Sequence, residues 1–370
     1  KGFQRMSENK NKKAVRLRPR RKKQANGFVG FISDIIPWKG DSTGEVVRKL
    51  VFLIAIIVLV VAGCMMLNFY VLRENANNKD AQYWADQKEQ NASDEVITVI
   101  LKDDSEKEGS SEKEESGEVE VLAEYMPYYE QNNDFVGWIS MYPYIQYPVV
   151  QADDNEYYLK HNFEGGYNEN GTIFADYQGK ISATEMPHNT LLYGHNLITN
   201  NFFQPLSNFR KEGISFLKDN YILEFDTLYE RNQYKIFSVF LTNTKTEHGD
   251  VFDYWKQVYF TSKTEFNNFV AECLDRSYFY TGVDLQYGDE LLTLSTCDFS
   301  MFSDMRLVVV ARKIREDESI SMDPETFIDN TGFDDDGNVK RKMFDAYYTT
   351  YDCEWAGRKW DASWIKDFEG

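Results

Sequence analysis

The chain has 370 residues, a formal charge of −19 and an aromatic content of 15%. That length suffices for one good-sized core plus appendages. Its cysteines, Cys64, Cys273, Cys297 and Cys353, show no C-x-x-C spacing, which excludes a zinc ribbon or a dithiol redox pair and leaves no evident disulfide framework.

The charge is unevenly spread. Residues 1–49 hold 14 Lys and Arg against 4 Asp and Glu, and the remainder holds 27 against 56. At the border runs Leu50 to Leu72, 23 residues without a charge and with one interior amide, Asn68. A bilayer core needs about 20 apolar helical residues, so residues 50–72 are expected to span a membrane. The basic block is expected to stay cytoplasmic, which places the chain beyond residue 72 outside the cell. The apolar run is too long, and its basic flank too extended, for a cleaved signal peptide. Val61-Ala62-Gly63-Cys64 has the form of a lipidation box. The apolar run continues past it for eight residues, so Cys64 reads as an embedded small hydrophobe. Beside a membrane span, the basic block reads as an orientation and anionic-lipid signal, and no nucleic-acid partner is expected.

Residues 73–120 are polar and acidic, with Lys107 to Glu118 a low-complexity run, and are expected to form a flexible stalk. Val96 to Leu101 has strand character but no evident place. From Val121 the pattern changes. Leu122, Tyr125, Met126 and Tyr129 recur at helical spacing and predict a helix ending near Asn132. Eight short strands follow: 136–139, 144–150, 172–175, 189–193, 221–225, 234–242, 291–297 and 305–313. They are β-branched or aromatic and bounded by Gly, Asn and Asp, a pattern that predicts a mainly β, closed or nearly closed barrel. One helix interrupts them. Thr261 to Glu265 supplies capping residues, and Phe266, Phe269, Val270 and Cys273 share one face. Cys273 is expected in the core of that helix's packing.

After Arg315 the chain turns acidic and then aromatic, and residues 316–370 are read as an extension of unknown role. Asp334 to Asn338 suggests a calcium loop, but Gly332 and Met343 would occupy its first and last ligand positions, so it reads as a solvated turn.

The chemistry concentrates at Thr293-Leu294-Ser295-Thr296-Cys297. Period-2 alternation puts Leu292 and Leu294 on one face and Thr293, Ser295 and Cys297 on the other, so the sulfur sits on a small polar face. Arg306 follows after eight residues, a spacing that places it opposite Cys297 on an adjacent antiparallel strand. The strand after it is apolar at successive positions and is expected to be buried on both faces. His195 follows the apolar strand at 191–193, with Gly194 permitting a sharp turn. A thiol must be activated as thiolate. An imidazole can hold the proton and return it to a leaving amine. A guanidinium can stabilise a developing oxyanion. His161, His188 and His248 lack a strand to position them. Each residue also has a bland reading, as core thiol, polar loop histidine or surface partner of Asp304; their joint placement favours chemistry.

At these residues the chain resembles the class B sortases, membrane-anchored cysteine transpeptidases of Gram-positive bacteria. The resemblance rests on Asp134-Phe135-Val136-Gly137-Trp138-Ile139, Tyr147-Pro148-Val149-Val150-Gln151, Asn189-Thr190-Leu191-Leu192-Tyr193-Gly194-His195-Asn196, Thr293 to Cys297, and Arg306 with Val308-Val309-Val310-Ala311-Arg312. It covers residues 121–315. The helix over 261–275 resembles the extra helix of that class. The resemblance implies a sortase-like closed eight-stranded β-barrel with an N-terminal helix and a helix inserted before the catalytic strand. It implies Cys297 as nucleophile, His195 as general acid/base and Arg306 as oxyanion or substrate clamp, with Ser295, Thr296 and Asn189 contacting substrate. The expected donors are surface proteins or pilins bearing a C-terminal sorting motif, cut at a Thr–Gly or Thr–Asn type of bond. The expected acceptor is an amine of a peptidoglycan precursor or a pilin lysine. No metal or other cofactor is expected. An extracellular thiol peptidase and a non-catalytic surface receptor on the same barrel are the alternatives.

Overall fold

A computed structural model describes residues 35–67, 73–101, 118–197, 201–246, 251–298 and 304–329. The basic segment at 1–34, most of the acidic run at 107–118, His248, the calcium-like turn and the aromatic tail lie outside these. Residues 1–72 and 73–370 form two units.

In the first unit, α1 (Thr43–Leu67) is a 25-residue helix, about 37 Å long at 1.5 Å per residue. Its apolar side chains, Val51, Ile54, Ile57 and Leu59 among them, face outward along its length. It is long and apolar enough to cross a bilayer. It starts seven residues before the expected span, because Ser42 accepts from the Glu45 N–H and the Lys49 charge is paired with Asp41 at 2.7 Å.

The second unit runs α2 (Arg73–Asn91), β1 (Val96–Ile100), β2 (Glu118–Leu122), α3 (Met126–Gln131), β3 (Phe135–Met141), β4 (Ile145–Val150), β5 (Ile173–Ala175), β6 (Asn189–Tyr193), α4 (Asn208–Lys211) and α5 (Ile214–Asp219). It continues through β7 (Ile222–Thr227), β8 (Gln233–Asn243), α6 (Lys263–Arg276), β9 (Phe279–Tyr280), β10 (Leu291–Cys297), β11 (Met305–Lys313) and β12 (Ile328–Asp329). The eight expected strands close into a barrel in the order β10-β11-β8-β7-β3-β4-β5-β6. Closure leaves no free sheet edge. The pairs β4–β5 and β6–β10 are parallel, and the other barrel pairs are antiparallel.

Strand parity sets two cores. Leu292, Leu294, Leu307, Val309 and Ala311 point into the barrel. Leu291, Val308 and Val310 point outward and meet Phe266, Phe269, Val270, Cys273 and Leu274 of α6. The inserted helix therefore explains why β11 is apolar on both faces. Ser262 caps α6 by accepting from Glu265 N–H at 3.2 Å, and Glu265 reaches back to Thr261 N–H at 2.7 Å, a reciprocal capping box.

Two segments differ from expectation. Residues 73–91 form α2 instead of a stalk, and Trp84 at 4% exposure packs edge-on against Phe163 at 5.0 Å. Lys88 and Arg231 both pair with the buried Glu124, at 2.8 and 2.5 Å. Val96–Ile100 pairs antiparallel with Glu118–Leu122. α2 carries one large apolar anchor and no 3.6-residue stripe, so its docking is decided by partners distant in sequence. Residues 316–329 lie on the barrel as well: Glu318 pairs with the fully buried Arg312 and with Lys235, and β12 pairs with β9.

Candidate active site

The parallel pairing of β6 with β10, from Leu291↔Asn189 to Ser295↔Tyr193, ends both strands at the same rim. The antiparallel pairing of β10 with β11 sets Cys297 directly opposite Arg306. His195 leaves β6 two residues past its end, at this rim. All three line a cleft of about 250 Å³, with Asn155, Leu159, Phe174, Tyr193, Gly194, Ser295 and Thr296.

Each side chain is held from behind. The Cys297 thiol is free and half-buried. Its carbonyl accepts from Asn196 Nδ2 at 2.6 Å, which ties the catalytic strand to the loop after His195. His195 Nε2 lies 3.0 Å from the Leu159 carbonyl oxygen. A carbonyl only accepts, so Nε2 carries a proton, and Nδ1 is the nitrogen left for proton exchange. Gly194 is required by close approach: a Cβ there would sit 2.7 Å from the buried ring of Phe203. Arg306 Nη1 donates to the Met305 carbonyl at 2.9 Å.

The substrate-contact expectations divide. Ser295 and Thr296 line the cleft, with their hydroxyls engaged by the protein: Ser295 with Tyr254 at 2.7 Å, and Thr296 donating to the Gly194 carbonyl at 2.7 Å. Asn189 is fully buried and does not line the cleft. Its Oδ1 accepts from Thr293 Oγ1 at 2.7 Å and its Nδ2 donates to the Gln257 carbonyl at 2.9 Å. Its place is a brace between β6, β10 and the segment before α6, because its strand parity turns it outward beneath that segment.

Other thiols and imidazoles sit elsewhere. Burial pushes the Cys273 thiol well above its ordinary range, so it stays protonated. His188 Nδ1 accepts from the Phe260 N–H at 2.8 Å, and His161 stacks on Tyr157 at 4.1 Å. Tyr254, buried behind Ser295, is pushed up to about 12, first by burial, while the Ser295 hydrogen bond and the Arg306 charge oppose the rise. Sequence reasoning missed Asn155 in the cleft lining, and Tyr254 and Asn196, which hydrogen-bond to residues that line it. Asn196 alone carried a signal, its adjacency to His195.

The family described as "Sortase domain" matches residues 144–314. Over 184 residues the chain is 32% identical to sortase B of Staphylococcus aureus, which covers 50% of this chain and 71% of that one. The chain belongs to the class B sortases. It is also 28% identical over 196 residues to sortase B of Listeria monocytogenes, covering 53% of this chain and 75% of that one. The crystal structure of Bacillus anthracis sortase B in complex with AAEK1 superposes with a TM-score of 0.50 at 27% identity, covering 66% of this chain and all of that one. As a class B sortase, the protein is a cysteine transpeptidase. The barrel is the fold that the class implies.

Proposed function

We propose that this sortase anchors or polymerises surface proteins through a thioester on Cys297. The carrying observation is the register pair Cys297↔Arg306, with His195 delivered to the same cleft by the parallel strand β6. Cys297 passes its thiol proton to His195, and the resulting thiolate attacks the carbonyl carbon of the scissile bond. Arg306 stabilises the oxyanion that develops. The C–N bond breaks, and His195 gives the leaving amine its proton. An incoming amine then attacks the thioester, loses a proton to His195, and the thiolate departs. Thr296 and Ser295 shape the wall near the reacting carbonyl. The donor is a C-terminal sorting motif, and the acceptor is a peptidoglycan-precursor or pilin-lysine amine.

In this reading residues 1–49 are cytoplasmic, residues 50–72 anchor the chain, and residues 121–315 form the extracellular catalytic domain. The outward apolar surface of α1 and the basic segment before it support that orientation. The detergent-solubilised full chain is to be incubated with quenched-fluorescence peptides containing a Thr–Gly or Thr–Asn bond. Mass spectrometry should find an acyl group on Cys297, and added triglycine should yield an amide-linked product. Turnover by Cys297→Ala refutes the nucleophile. Hydrolysis that triglycine does not divert places the activity with the peptidases.

A further inference from the structure

Asp176 is a buried carboxylate that the catalytic steps above do not use. It follows β5 directly and is 2% exposed. Its backbone is locked to the barrel: its N–H donates to the Leu191 carbonyl at 2.8 Å, and its carbonyl accepts from Gln151 Nε2 at 2.8 Å. The carboxylate is satisfied by three neutral donors. Oδ2 accepts from Asn155 Nδ2 and from the Tyr193 hydroxyl, each at 2.9 Å, and Oδ1 accepts from the Gln178 N–H at 2.8 Å. A buried charge is tolerated only when its lone pairs are filled, so these bonds hold their donors firmly.

Two of those donors are walls of the cleft. Asn155 and Tyr193 both line it, and one oxygen of Asp176 joins the two. Asn155 also accepts from the Tyr177 N–H at 3.1 Å, which ties it a second time to the strand end carrying Asp176. Burial, reinforced by the Asp176 charge, keeps the Tyr193 hydroxyl protonated and therefore a donor.

We propose that Asp176 is a positioning residue for the acyl-donor peptide: it clamps Asn155 and Tyr193 into one wall of the cleft. This rests on the transpeptidase reading of that cleft. Asp176 touches neither Cys297 nor Arg306, so its loss should weaken peptide binding while leaving the nucleophile intact. Asp176→Asn keeps the shape but replaces one accepting oxygen with a donating amide group, so at least one of the three donors is left facing a donor.

The test uses the detergent-solubilised full chain and the quenched peptides above, with iodoacetamide alkylation of Cys297 as the second readout. Asp176→Asn should raise KM about tenfold, the scale of one charge-assisted hydrogen bond, with kcat and the alkylation rate within about twofold of wild type. Tyr193→Phe should raise KM less, and the double variant should be no worse than Asp176→Asn, because both act through one clamp. An unchanged KM in Asp176→Asn, or a fall in kcat and alkylation together, overturns the positioning role. If Asp176→Asn does not fold, Asn155→Ala and Tyr193→Phe decide: an unchanged KM in both overturns the clamp. A wild-type chain that forms no Cys297 acyl-enzyme overturns the transpeptidase reading and this inference with it. Wild-type turnover matched by Asp176→Asn overturns the inference alone.

Discussion

Gly194→Ala tests whether the position of His195 depends on the close approach of Phe203. The built Cβ lies 2.7 Å from both Cγ and Cδ2 of that ring. Carbon atoms rest at about 3.5 Å or more, so something must move by roughly 0.8 Å. Phe203 is fully buried and cannot swing into solvent, so the loop backbone gives instead. That loop is coupled to the site, since the Phe203 N–H donates to the His195 carbonyl at 3.1 Å and the Gly194 carbonyl accepts from Thr296. Overpacking of this kind costs about 1–3 kcal/mol. In a domain of this size that is a Tm loss of roughly 2–4 °C per kcal/mol. The activity loss should be larger in proportion, because a displacement near 1 Å at a catalytic group costs about 10²-fold. Thermal unfolding and peptide kcat/KM, measured on the same preparation, separate the two effects. A kcat/KM within threefold of wild type, alongside the expected Tm loss, would show that His195 is not set by this contact.

Arg306→Lys retains the charge but loses the planar fork, and Arg306→Ala loses both. The alanine variant should lose about 10²–10³ in kcat, and the lysine variant should recover only a minor part; full rescue by lysine would leave a simple charge requirement. Glu318 is held at about 2, chiefly by the hydrogen bond from Arg312, with Lys235 adding to it. Its folded value lies below the ordinary 4.5, so its stabilisation is complete above pH 4.5 and is lost as pH falls toward 2. Glu318→Gln should remove that part of the acid profile in a thermal-unfolding series. It should also cost about 3–5 kcal/mol at neutral pH by leaving Arg312 buried without its carboxylate. An acid profile identical to wild type would show that Glu318 does not carry the effect.

Local pattern was enough for the parts that obey a short period. Alternation and β-branched content located all eight barrel strands to within a few residues. Helical spacing with a capping box located α6. The apolar face of that helix and the doubly apolar β11 implied each other, and they do pack together. Spacing alone also paired Cys297 with Arg306, because an eight-residue connection between antiparallel strands leaves little freedom.

What the amino-acid order determined by itself was thus the strands, the membrane-length helix, the inserted helix and the residue types suited to acyl transfer. Barrel closure decided the rest. Only the parallel pairing of β6 with β10 brings the His195 loop to Cys297, and Asn196 and Cys297 are 101 residues apart in the chain. The docking of α2 through Trp84, the outward turn of Asn189 and the Asp176 clamp on Asn155 and Tyr193 have the same origin. They are contacts between segments with no shared period, formed where a closed sheet forces distant strand ends to one rim, and no local signal encodes them.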